Sequence, residues 1–446
     1  MHMQKIFTLF IVLLAGLFNQ VQAQYFVMTD SLPAPHLNQQ AQALSNGKVL
    51  CFGGENGAIG DPNGTYNTAY LYSNGVWTPT GSMHVPRTQF ASVVLQSGKV
   101  MAIGGITSDL SFEFASCEIY DPATGQWTYT DSMPNPTYID GTVVLNNGNV
   151  LVADGDSSHI YNPTTGHWSA GVAMAAPHGV GPLAVLLQNG NVLAVGGADN
   201  NTVADVYNPT SNTWTATGST TYSRYLSFGI LLNDGKALVY GSAAIDSGQN
   251  TSELYDPATG RFTVTGNLLT NVASSPAVLL NNGNPIVWSL GNEFGTPPAL
   301  QTIQVYNVAS GTWFAPPASQ LGTSNGSLVK MGNNQILAIA GQQLSAALPY
   351  CWLINGNNLT SVNNVPEVSF NLYPNPGHNA FTLGTASLPE ASLLSISDAT
   401  GRMVLQTTVS AANTLVNAEG LEAGCYLLVL SDNHGNRLGT TRWVKM

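Results

Sequence analysis

The chain has 446 residues, of which 8% are charged, and its formal net charge is −12. This length allows a large core and more than one domain. An acidic total without a cluster of Lys or Arg argues against nucleic acid and anionic lipid as partners. The 46 glycines and the many Thr, Ser and Asn residues indicate a surface of neutral polar groups and turns.

The first 23 residues contain the three parts of a secretory signal peptide. Lys5 is the positive residue, residues 6–18 form the apolar run, and Val21-Gln22-Ala23 is the small-residue cleavage site. A membrane anchor is the alternative, but the apolar run is shorter than the roughly 20 residues that cross a bilayer. We therefore predict a signal peptide at 1–23, cleaved after Ala23, and no transmembrane segment in the mature chain.

A motif of strand and turn signals recurs along most of the chain. Each copy has an apolar run, a Gly turn, a second apolar run, a Tyr-Asp-Pro or Tyr-Asn-Pro turn and an aromatic residue. Six copies lie at 43–77, 93–127, 143–168, 185–214, 231–262 and 279–313, and a degenerate seventh lies at 328–359. A repeat of roughly 40–50 residues with these signals predicts the radial sheets of a β-propeller.

The second copy illustrates how one repeat can form one blade. Its first two strands are expected at 91–95 and 99–103, because both runs are mainly apolar, as in strands buried on both faces. Gly104-Gly105 ends the second strand, where the missing Cβ atoms allow a close approach of the neighbouring blade. The third strand is expected at 117–120. We interpret Trp127, which begins the fourth strand, as a wedge between blades.

The pattern Gly-x-Val-Leu-x-x-Gly-Gly, followed by Tyr-Asp-Pro and Trp, resembles the Kelch repeat in the variant of secreted propellers such as galactose oxidase. The resemblance covers about residues 26–362. It implies an all-β fold, a seven-bladed Kelch-type β-propeller, within residues 24–362. Kelch propellers serve as enzymes, adaptors and binding modules, so the resemblance alone does not define a function.

A closed propeller must pair the free edge of its last sheet. Residues 26–32 (FVMTDSL) match residues 127–133 (WTYTDSM), a fourth-strand sequence, position by position. No blade precedes residues 26–32, so they can complete the seventh sheet. Residues 359–362 compete for the same position, and the sequence leaves both alternatives open.

The repeat stops after Val365, and residues 368–446 follow a linker predicted at 363–367. Alternating runs at 393–397 and 426–430, between turn signals, predict a small immunoglobulin-like β-sandwich. Tyr-Pro-Asn-Pro at 373–376, Gly401-Arg402, Gly424-Cys425-Tyr426 and a basic C-terminal tail resemble the sorting domain of the type IX secretion system of Bacteroidetes. The resemblance implies that the secretion machinery binds this domain and removes it, so that the mature propeller is surface-bound or released.

The sequence lacks the residues of the copper-radical oxidases that share this repeat. By resemblance, that site needs a Cys cross-linked to a Tyr, but the corresponding positions fall near Asn38 and on Gln89. There is also no His-Glu-x-x-His, Gly-x-Ser-x-Gly or phosphate-binding glycine loop. Four single cysteines without zinc-site spacing are expected to be structural, namely Cys51, Cys117, Cys351 and Cys425. We therefore predict no catalytic residue, cofactor, metal site or copper-radical oxidase activity.

One set of polar residues recurs at the junctions between copies. Each member follows a fourth strand and precedes the innermost strand of the next blade, so the set is expected to ring the mouth of the central channel. The candidate ligand-binding residues are His36, Arg87, His178 and Arg224, with Thr137 at the same position in the third copy. The alternative is structural, since each side chain could bond carbonyl groups between blades.

Antiparallel alternation places these junctions on the same face as the loops between strands two and three. Those loops are the long ones, at 55–66, 108–114, 244–251 and 292–300. Binding residues are common in variable loops on a rigid scaffold. We therefore predict a secreted or cell-surface propeller that binds a glycan or a surface protein on this face. The alternative function is a carbohydrate-active enzyme of unrecognised chemistry.

Overall fold

The computed structural model describes residues 26–58, 61, 63–137, 141–198, 202–243, 248–271, 276–288, 303–316, 326–343, 346–359, 370–385, 392–398, 403–409, 411, 413–431 and 437–446. The secondary structure of these residues consists of β-strands and one 3-10 turn at Gly332–Asn334, which confirms the all-β prediction. The chain forms two compact units, 1–360 and 361–446. The predicted signal peptide at 1–23 and linker at 363–367 lie outside the described residues.

The first described strand of the first unit is β1 (Phe26–Met28), and the strands of this unit form seven antiparallel sheets, blades 1 to 7. Blade 1 consists of β2 (Gln40–Ala43), β3 (Val49–Phe52), β4 (Ala69–Ser73) and β5 (Val76–Pro79). Blade 2 consists of β6 (Ala91–Val94), β7 (Val100–Ile103), β8 (Cys117–Asp121) and β9 (Gln126–Tyr129). Blade 3 consists of β10 (Gly141–Val144), β11 (Val150–Asp154), β12 (Ser157–Asn162) and β13 (His167–Ala173).

The remaining blades have the same strand order. Blade 4 consists of β14 (Leu183–Leu186), β15 (Val192–Val195), β16 (Ala204–Asn208) and β17 (Thr213–Ala216). Blade 5 consists of β18 (Phe228–Leu231), β19 (Ala237–Tyr240), β20 (Ser252–Asp256) and β21 (Arg261–Val264). Blade 6 consists of β22 (Ala277–Leu279), β23 (Pro285–Trp288), β24 (Ile303–Asn307) and β25 (Thr312–Phe314). Blade 7 consists of β26 (Ser327–Lys330), β27 (Gln335–Gln343), β28 (Ala346–Asn355) and β1.

Burial decreases from the second strand of a blade to the fourth. All four residues of β3 and of β7 are buried, as expected for strands covered on both faces. In the outer strand β9, Trp127 is the buried residue. Its ring lies 5.0 Å from Phe52 of blade 1 and 5.2 Å from Tyr120 of blade 2. Trp127 therefore packs between two blades, as the sequence predicted.

The glycine pairs allow adjacent blades to approach closely. A Cβ atom on Gly53 would lie 2.9 Å from the carbonyl oxygen of Arg87, and both Gly53 and Gly54 have positive φ angles. The N–H of Gly54 donates to the Arg87 carbonyl of the next blade (2.9 Å), and Gly105 donates in the same way to Thr137 (2.7 Å). A side chain at Gly53 would separate blade 1 from the junction to blade 2, whereas one at Gly54 would collide with the carbonyl oxygen of Leu37, in the segment that leads into β2 of the same blade.

A second contact joins blades near their outer strands, and we call it the Thr–Tyr pair. The Thr at the end of a fourth strand shares a hydrogen bond with the Tyr hydroxyl of the third strand in the next blade. The Thr hydroxyl also lies 3.2–3.4 Å from a carbonyl oxygen of the Gly turn that follows that Tyr. The pairs are Thr29–Tyr72, Thr80–Tyr120, Thr130–Tyr161, Thr217–Tyr255 and Thr265–Tyr306.

The ring is closed by the N-terminal strand. The innermost strand of each blade contacts that of the next, and β26 of blade 7 contacts β2 of blade 1. Strand β1 pairs with β28, with Phe26 opposite Ile354. Of the two alternatives for closure, the structure therefore has residues 26–28 in the fourth-strand position of blade 7. The competing segment 359–362 is described only at Leu359.

The antiparallel order gives the propeller two different faces. Connections between strands two and three, and the junctions between blades, leave from one face, which we call the long-loop face. The opposite, short-turn face contains the turns between strands one and two and between strands three and four. Blade 3 is an exception on the long-loop face, because β11 and β12 are joined by the short turn Gly155-Asp156. The predicted loop at 292–300 lies outside the described residues.

The second unit is a small two-sheet β-structure with its own core. One sheet has the order β29 (Phe370–Tyr373), β30 (Ala380–Thr385) and β33 (Asn413–Asn417). The other has the order β32 (Met403–Val409), β31 (Ser392–Ser397), β34 (Gly424–Ser431) and β35 (Arg437–Lys445). Trp443 and Phe381, one from each sheet, are fully buried with ring centroids 4.8 Å apart. This arrangement agrees with the predicted immunoglobulin-like sandwich.

Deletion of residues 26–32 should destabilise the propeller, because it leaves the edge of β28 unpaired and removes the buried side chains of Phe26 and Leu32. Burial of two such side chains contributes about 3–6 kcal/mol. We expect the melting temperature to fall by roughly 5–10 °C and aggregation to increase, as measured by calorimetry and light scattering.

The matched control is the double variant Val27→Ser, Met28→Ser. These two side chains lie on the same strand but are 47% and 61% exposed, so the control should keep the melting temperature of the parent protein. An unchanged melting temperature after the deletion would contradict closure by β1.

Candidate functional site

The four predicted ligand-binding residues lie on the junctions between blades, and all are buried. The exposed fraction is 1% for His36 and 0% for Arg87, His178 and Arg224. Thr137, at the same position before blade 3, is 5% exposed. A ligand on the surface cannot contact side chains buried to this degree. Their protein contacts therefore determine what they do.

Arg87 connects its junction to the blade that follows. Its Nη1 donates to the carbonyl oxygens of Gly104 (2.5 Å) and Ser116 (2.8 Å). Its Nη2 donates to Glu118 Oε1 at 3.0 Å, and both members of this ion pair are fully buried. Burial lowers the pKa of Arg87, and the neighbouring Glu118 carboxylate opposes that effect.

Arg224 makes the equivalent contacts in blade 5. Its Nη1 donates to the carbonyl oxygens of Gly241 and Thr251, both at 3.1 Å. Its Nη2 donates to Glu253 Oε1 at 2.9 Å, again between fully buried groups. The same network therefore occurs at two junctions that lie three blades apart.

The carboxylates also bind the backbone of the junction. Glu118 accepts the backbone N–H groups of His84 (2.7 Å) and Val85 (3.0 Å). Glu253 accepts the N–H of Thr221 at 2.9 Å. Each carboxylate therefore holds both the Arg side chain and the peptide groups that precede it.

The two histidines have related but weaker networks. His178 Nδ1 lies 2.6 Å from the carbonyl oxygen of Gly196, so this nitrogen carries the proton, and Nε2 lies 3.4 Å from Asp205. His36 Nδ1 donates to the carbonyl of Ala34 at 2.8 Å. The His36 ring packs 4.6 Å from the Tyr66 ring. Burial lowers the pKa of His36, which favours the neutral form.

These contacts do not fit the prediction that His36, Arg87, His178 and Arg224 bind ligand directly. They fit the structural alternative, in which the side chains bond carbonyl groups at the junctions. The physical reason is that a junction segment must cross from an outer strand to an inner strand, where its peptide groups lose contact with water. Buried donors and carboxylates supply the hydrogen bonds that those groups need.

Sequence reasoning missed the partners of these residues, Glu118, Asp205 and Glu253. Each is the second residue of a third strand, with 0% exposure. The sequence does contain a correlation that indicates this pairing. The position is Asp or Glu in the three blades whose junction residue is Arg87, His178 or Arg224. Where the junction residue is Thr137, the same position has His159, and where it is His36, it has Tyr70. A comparison of repeats position by position would have identified the pairs.

The accessible part of the long-loop face includes two apolar side chains. Leu110 and Phe112, in the loop between β7 and β8, are 65% and 61% exposed. Leu110 has a φ of 58°, in the left-handed region that non-glycine residues rarely adopt. Its N–H donates to the carbonyl of Thr107 at 2.9 Å, which closes a tight turn. The loop therefore holds two large apolar groups in solvent.

Internal contacts order this loop. Asp109 accepts hydrogen bonds from the hydroxyls of Thr107 (2.5 Å) and Ser111 (2.7 Å). These bonds lower the pKa of Asp109, which keeps its carboxylate ionised. The Phe112 ring lies 5.2 Å from Phe114, and the Arg87 guanidinium lies 5.7 Å from the Phe114 ring. A buried junction residue thus supports the exposed aromatic indirectly.

The adjacent loop of blade 1 is connected to this one. Thr65 Oγ1 donates to Ser108 Oγ at 3.0 Å and accepts the N–H of Ser108 at 2.8 Å. The Ser108 hydroxyl donates to the carbonyl of Asp61 at 2.8 Å. The loops of blades 1 and 2 therefore form one continuous surface on the long-loop face.

One partly buried carboxylate belongs to this surface. Glu55 follows the glycine pair of blade 1, and Asn38 Nδ2 donates to its Oε1 at 2.7 Å. Burial raises the pKa of Glu55, and the hydrogen bond from Asn38 opposes part of that rise. A carboxyl group of this kind at a functional surface can act as an acid or a base.

The described residues contain no group of three or more His, Cys, Asp or Glu side chains that could hold a metal ion. Asn38 and Gln89, which correspond to the Cys and Tyr of copper-radical oxidases, both have positive φ angles. Along the described parts of the chain, no helix has the length and apolarity to cross a membrane.

In the second unit, the Tyr-Pro-Asn-Pro segment binds the C-terminal strand. Asn375 Nδ2 donates to the carbonyl of Arg442 (2.7 Å), and Asn375 Oδ1 accepts the N–H of Val444 (3.0 Å). Trp443 Nε1 donates to the carbonyl of Pro374 at 3.0 Å. The buried amine of Lys445 donates to three carbonyl oxygens within 3.0 Å. The Tyr-Pro-Asn-Pro segment and the C-terminal tail are therefore neighbours in space, and Gly401-Arg402 lies outside the described residues.

Two family models match the chain, one in each unit. Residues 87–134 match the Kelch motif, and residues 371–444 match the secretion system C-terminal sorting domain. The chain thus combines Kelch repeats in a propeller with a sorting domain of the type IX system. This sorting domain indicates export to the cell surface or the medium.

Two known proteins are similar to parts or all of the chain. The F-box/kelch-repeat protein SKIP30 of Arabidopsis thaliana is 36% identical over 95 residues, which are 20% of this chain and 26% of that protein. The chain therefore spans about a quarter of the length of this curated relative. A fungal alcohol oxidase of the AA5 family, solved in complex with copper, has a TM-score of 0.59 at 14% identity, covering 94% of this chain and 99% of that one. At this identity the likeness shows the fold alone.

Replacement of Arg87 by Ala should destabilise the propeller, because Glu118 would remain buried without its cation. Breaking a buried ion pair in this way costs about 3–5 kcal/mol. Urea denaturation of the full chain, followed by tryptophan fluorescence, measures the loss. Arg261→Ala is the control, since Arg261 is exposed on an outer strand, and it should change the free energy of unfolding by less than ~0.5 kcal/mol. A loss below ~1 kcal/mol for Arg87→Ala would contradict the structural role.

Proposed function

We propose that the propeller is a cell-surface or secreted binding module that binds a glycan or a protein through its long-loop face. The observation that carries this proposal is the ordered loop with exposed Leu110 and Phe112. Leaving a large apolar side chain in solvent costs about 1.5–3 kcal/mol of free energy relative to burying it. A loop whose hydrogen bonds hold them there is suited to a partner that covers them.

The chemistry of this surface favours a protein among the two ligand classes. Aromatic and aliphatic anchors within a polar rim are typical of protein interfaces. The rim here includes Asp109 and the neighbouring Glu113, so a partner surface with complementary positive charge fits best. A glycan remains the second class, because an exposed Phe ring can also stack on the apolar face of a sugar.

A second candidate function is supported by Glu55. Its raised pKa and its hydrogen bond with Asn38, on the same face, are compatible with acid–base chemistry on a carbohydrate. This is the carbohydrate-active enzyme considered from the sequence. Turnover of a polysaccharide, lost in Glu55→Gln, would distinguish it from simple binding.

Leu110→Ser, Phe112→Ser should reduce ligand affinity at least ~10-fold, because both anchors would be lost. Binding is measured with a glycan and polysaccharide array, and by interferometry with proteins from the surface fraction of the producing cell. A reducing-sugar assay on the same samples detects any turnover of a polysaccharide. Val76→Ser, Tyr129→Ser is the control, since both residues are exposed on outer strands, at 51% and 57%. Equal effects of the two double variants, or no effect of the first, would contradict the proposal.

Export should include two processing events, after Ala23 and between residues 362 and 368. The first follows from the signal peptide pattern, and the second from the removal that the sorting-domain resemblance implies. Intact-mass spectrometry of the protein from the cell surface or culture medium identifies its first and last residues. An exported form that still ends at Met446 would contradict removal of the domain.

A further inference from the structure

The interface between blades 3 and 4 lacks the Thr–Tyr pair that joins the blades at five other interfaces. The interface between blades 6 and 7 also lacks it, because Pro316 and Ile354 occupy the Thr and Tyr positions. Tyr207 of blade 4 occupies the Tyr position of the Thr–Tyr pair, but the fourth strand of blade 3 has no Thr to meet it. After Trp168 that strand reads Ser-Ala-Gly-Val, and its pairing with β12 contains a bulge between Ser158 and Ile160. The Tyr207 hydroxyl instead donates to Asn212 Oδ1 at 2.7 Å.

Asn212 is itself a departure from the repeat. The equivalent turn position in blades 2, 3, 5 and 6 is a glycine with positive φ, at Gly125, Gly166, Gly260 and Gly311. Asn212 keeps this conformation, with a φ of 54°. It therefore adds an amide side chain at the point where the Thr is missing.

A cavity of about 380 Å³ lies at this interface, on the short-turn face. Leu145, Ile160 and Tyr207 form part of its lining and belong to the apolar cluster between the two blades. The rest of the lining consists of Trp168, Pro209 and polar residues, namely Asn147, Asn149, Asn162, Thr165, His167, Ser169 and Asn212. The volume is within the range of small-molecule sites, about 300–1,000 Å³.

The lining contains amide and hydroxyl groups and the imidazole of His167, whose Nδ1 lies 3.2 Å from Asp131 Oδ2, but no Lys, Arg, Asp or Glu. The charge at these turns varies between blades, and blades 4 and 6 also have Asn at both positions, namely Asn191 with Asn208 and Asn284 with Asn307. In blade 2 the equivalent turns have an ion pair, Lys99 with Asp121 at 2.9 Å, and blade 5 has a Lys and an Asp at the same positions. In blade 3 these positions are Asn149 and Asn162.

Hydrogen bonds within the turns determine which atoms of the Asn side-chain amides can bind a ligand. Asn162 Oδ1 accepts the N–H of Thr164 (2.9 Å), and Asn147 Oδ1 accepts the N–H of Asn149 (3.0 Å). Asn212 Oδ1 accepts the Tyr207 hydroxyl. Because the turns use these oxygens, the amide N–H groups are the donors that a ligand oxygen can bind.

We infer that this cavity binds a neutral, hydroxyl-rich ligand, namely a sugar ring of a free saccharide or glycan chain. Amide donors suit hydroxyl and acetal oxygens, and the apolar residues suit the C–H face of a sugar. A phosphate or sulfate would need Lys or Arg side chains, which the lining lacks, and its one imidazole, that of His167, lies beside the Asp131 carboxylate. The site lies on the face opposite to the proposed long-loop surface, so the two proposals are independent.

The test is titration calorimetry and saturation-transfer NMR of the full chain with neutral probes: glucose, galactose, mannose, N-acetylglucosamine and their methyl glycosides. Asn149→Lys places in the cavity the residue that blades 2 and 5 tolerate at this turn, and should reduce affinity at least ~10-fold. Asn212→Gly restores the usual turn residue and removes one hydrogen-bond donor, which should reduce affinity about 5-fold.

Asn191→Lys is the matched control, because Asn191 is the equivalent turn residue of blade 4 and does not line the cavity. It should leave sugar affinity unchanged, as should Leu110→Ser, Phe112→Ser on the opposite face. Melting curves show whether each variant is folded. If Asn149→Lys does not fold, the affinity of Asn212→Gly tests the inference by itself. Absence of binding by every neutral probe, equal affinity of Asn212→Gly and the parent protein, or preference for sulfate or glucuronate would overturn the inference.

Discussion

Buried hydrogen bonds between a junction residue and a third-strand acid are the constraint on which the propeller depends. Arg87 and Glu118 are both fully buried, and removal of two such charges from water costs several kcal/mol per ion. The cost is offset because carbonyl and N–H groups of the junction complete the hydrogen bonding of both ions. The backbone carbonyl of the same Arg accepts the N–H of Gly54 in the preceding blade. One residue thus sets the path of the junction and the distance between blades.

This arrangement separates stability from recognition. The charged and aromatic residues that recur in the repeat are mostly inside, and they form inter-blade contacts rather than a site. Groups that solvent can reach belong to segments that differ from blade to blade, such as the loop with Phe112 and the turn with Asn212. Functional chemistry on a repeat scaffold is therefore expected where one copy departs from the others.

The two faces differ in their chemistry for the same reason. On the long-loop face, long connections allow apolar and acidic side chains to project from an ordered loop. On the short-turn face, the turns are nearly identical, and the cavity lies at an interface where the Thr–Tyr pair is missing. At this interface blade 3 has Gly171 at the Thr position and blade 4 has Asn212 at the Gly position, and the lining of the cavity contains no Lys, Arg, Asp or Glu.

The sequence by itself determined the number of blades, the strand order, the glycine contacts and the sorting domain, because these depend on local patterns of strand, turn and motif residues. It also located the junction positions of Arg87 and Arg224, but not their role, since the burial of a side chain depends on what packs over it. Only the tertiary structure decided that β1 closes the ring and that Glu118 and Glu253 pair with the arginines. It also decided where the cavity lies, because the contacts that form it join residues of two blades about 40–65 positions apart in the chain.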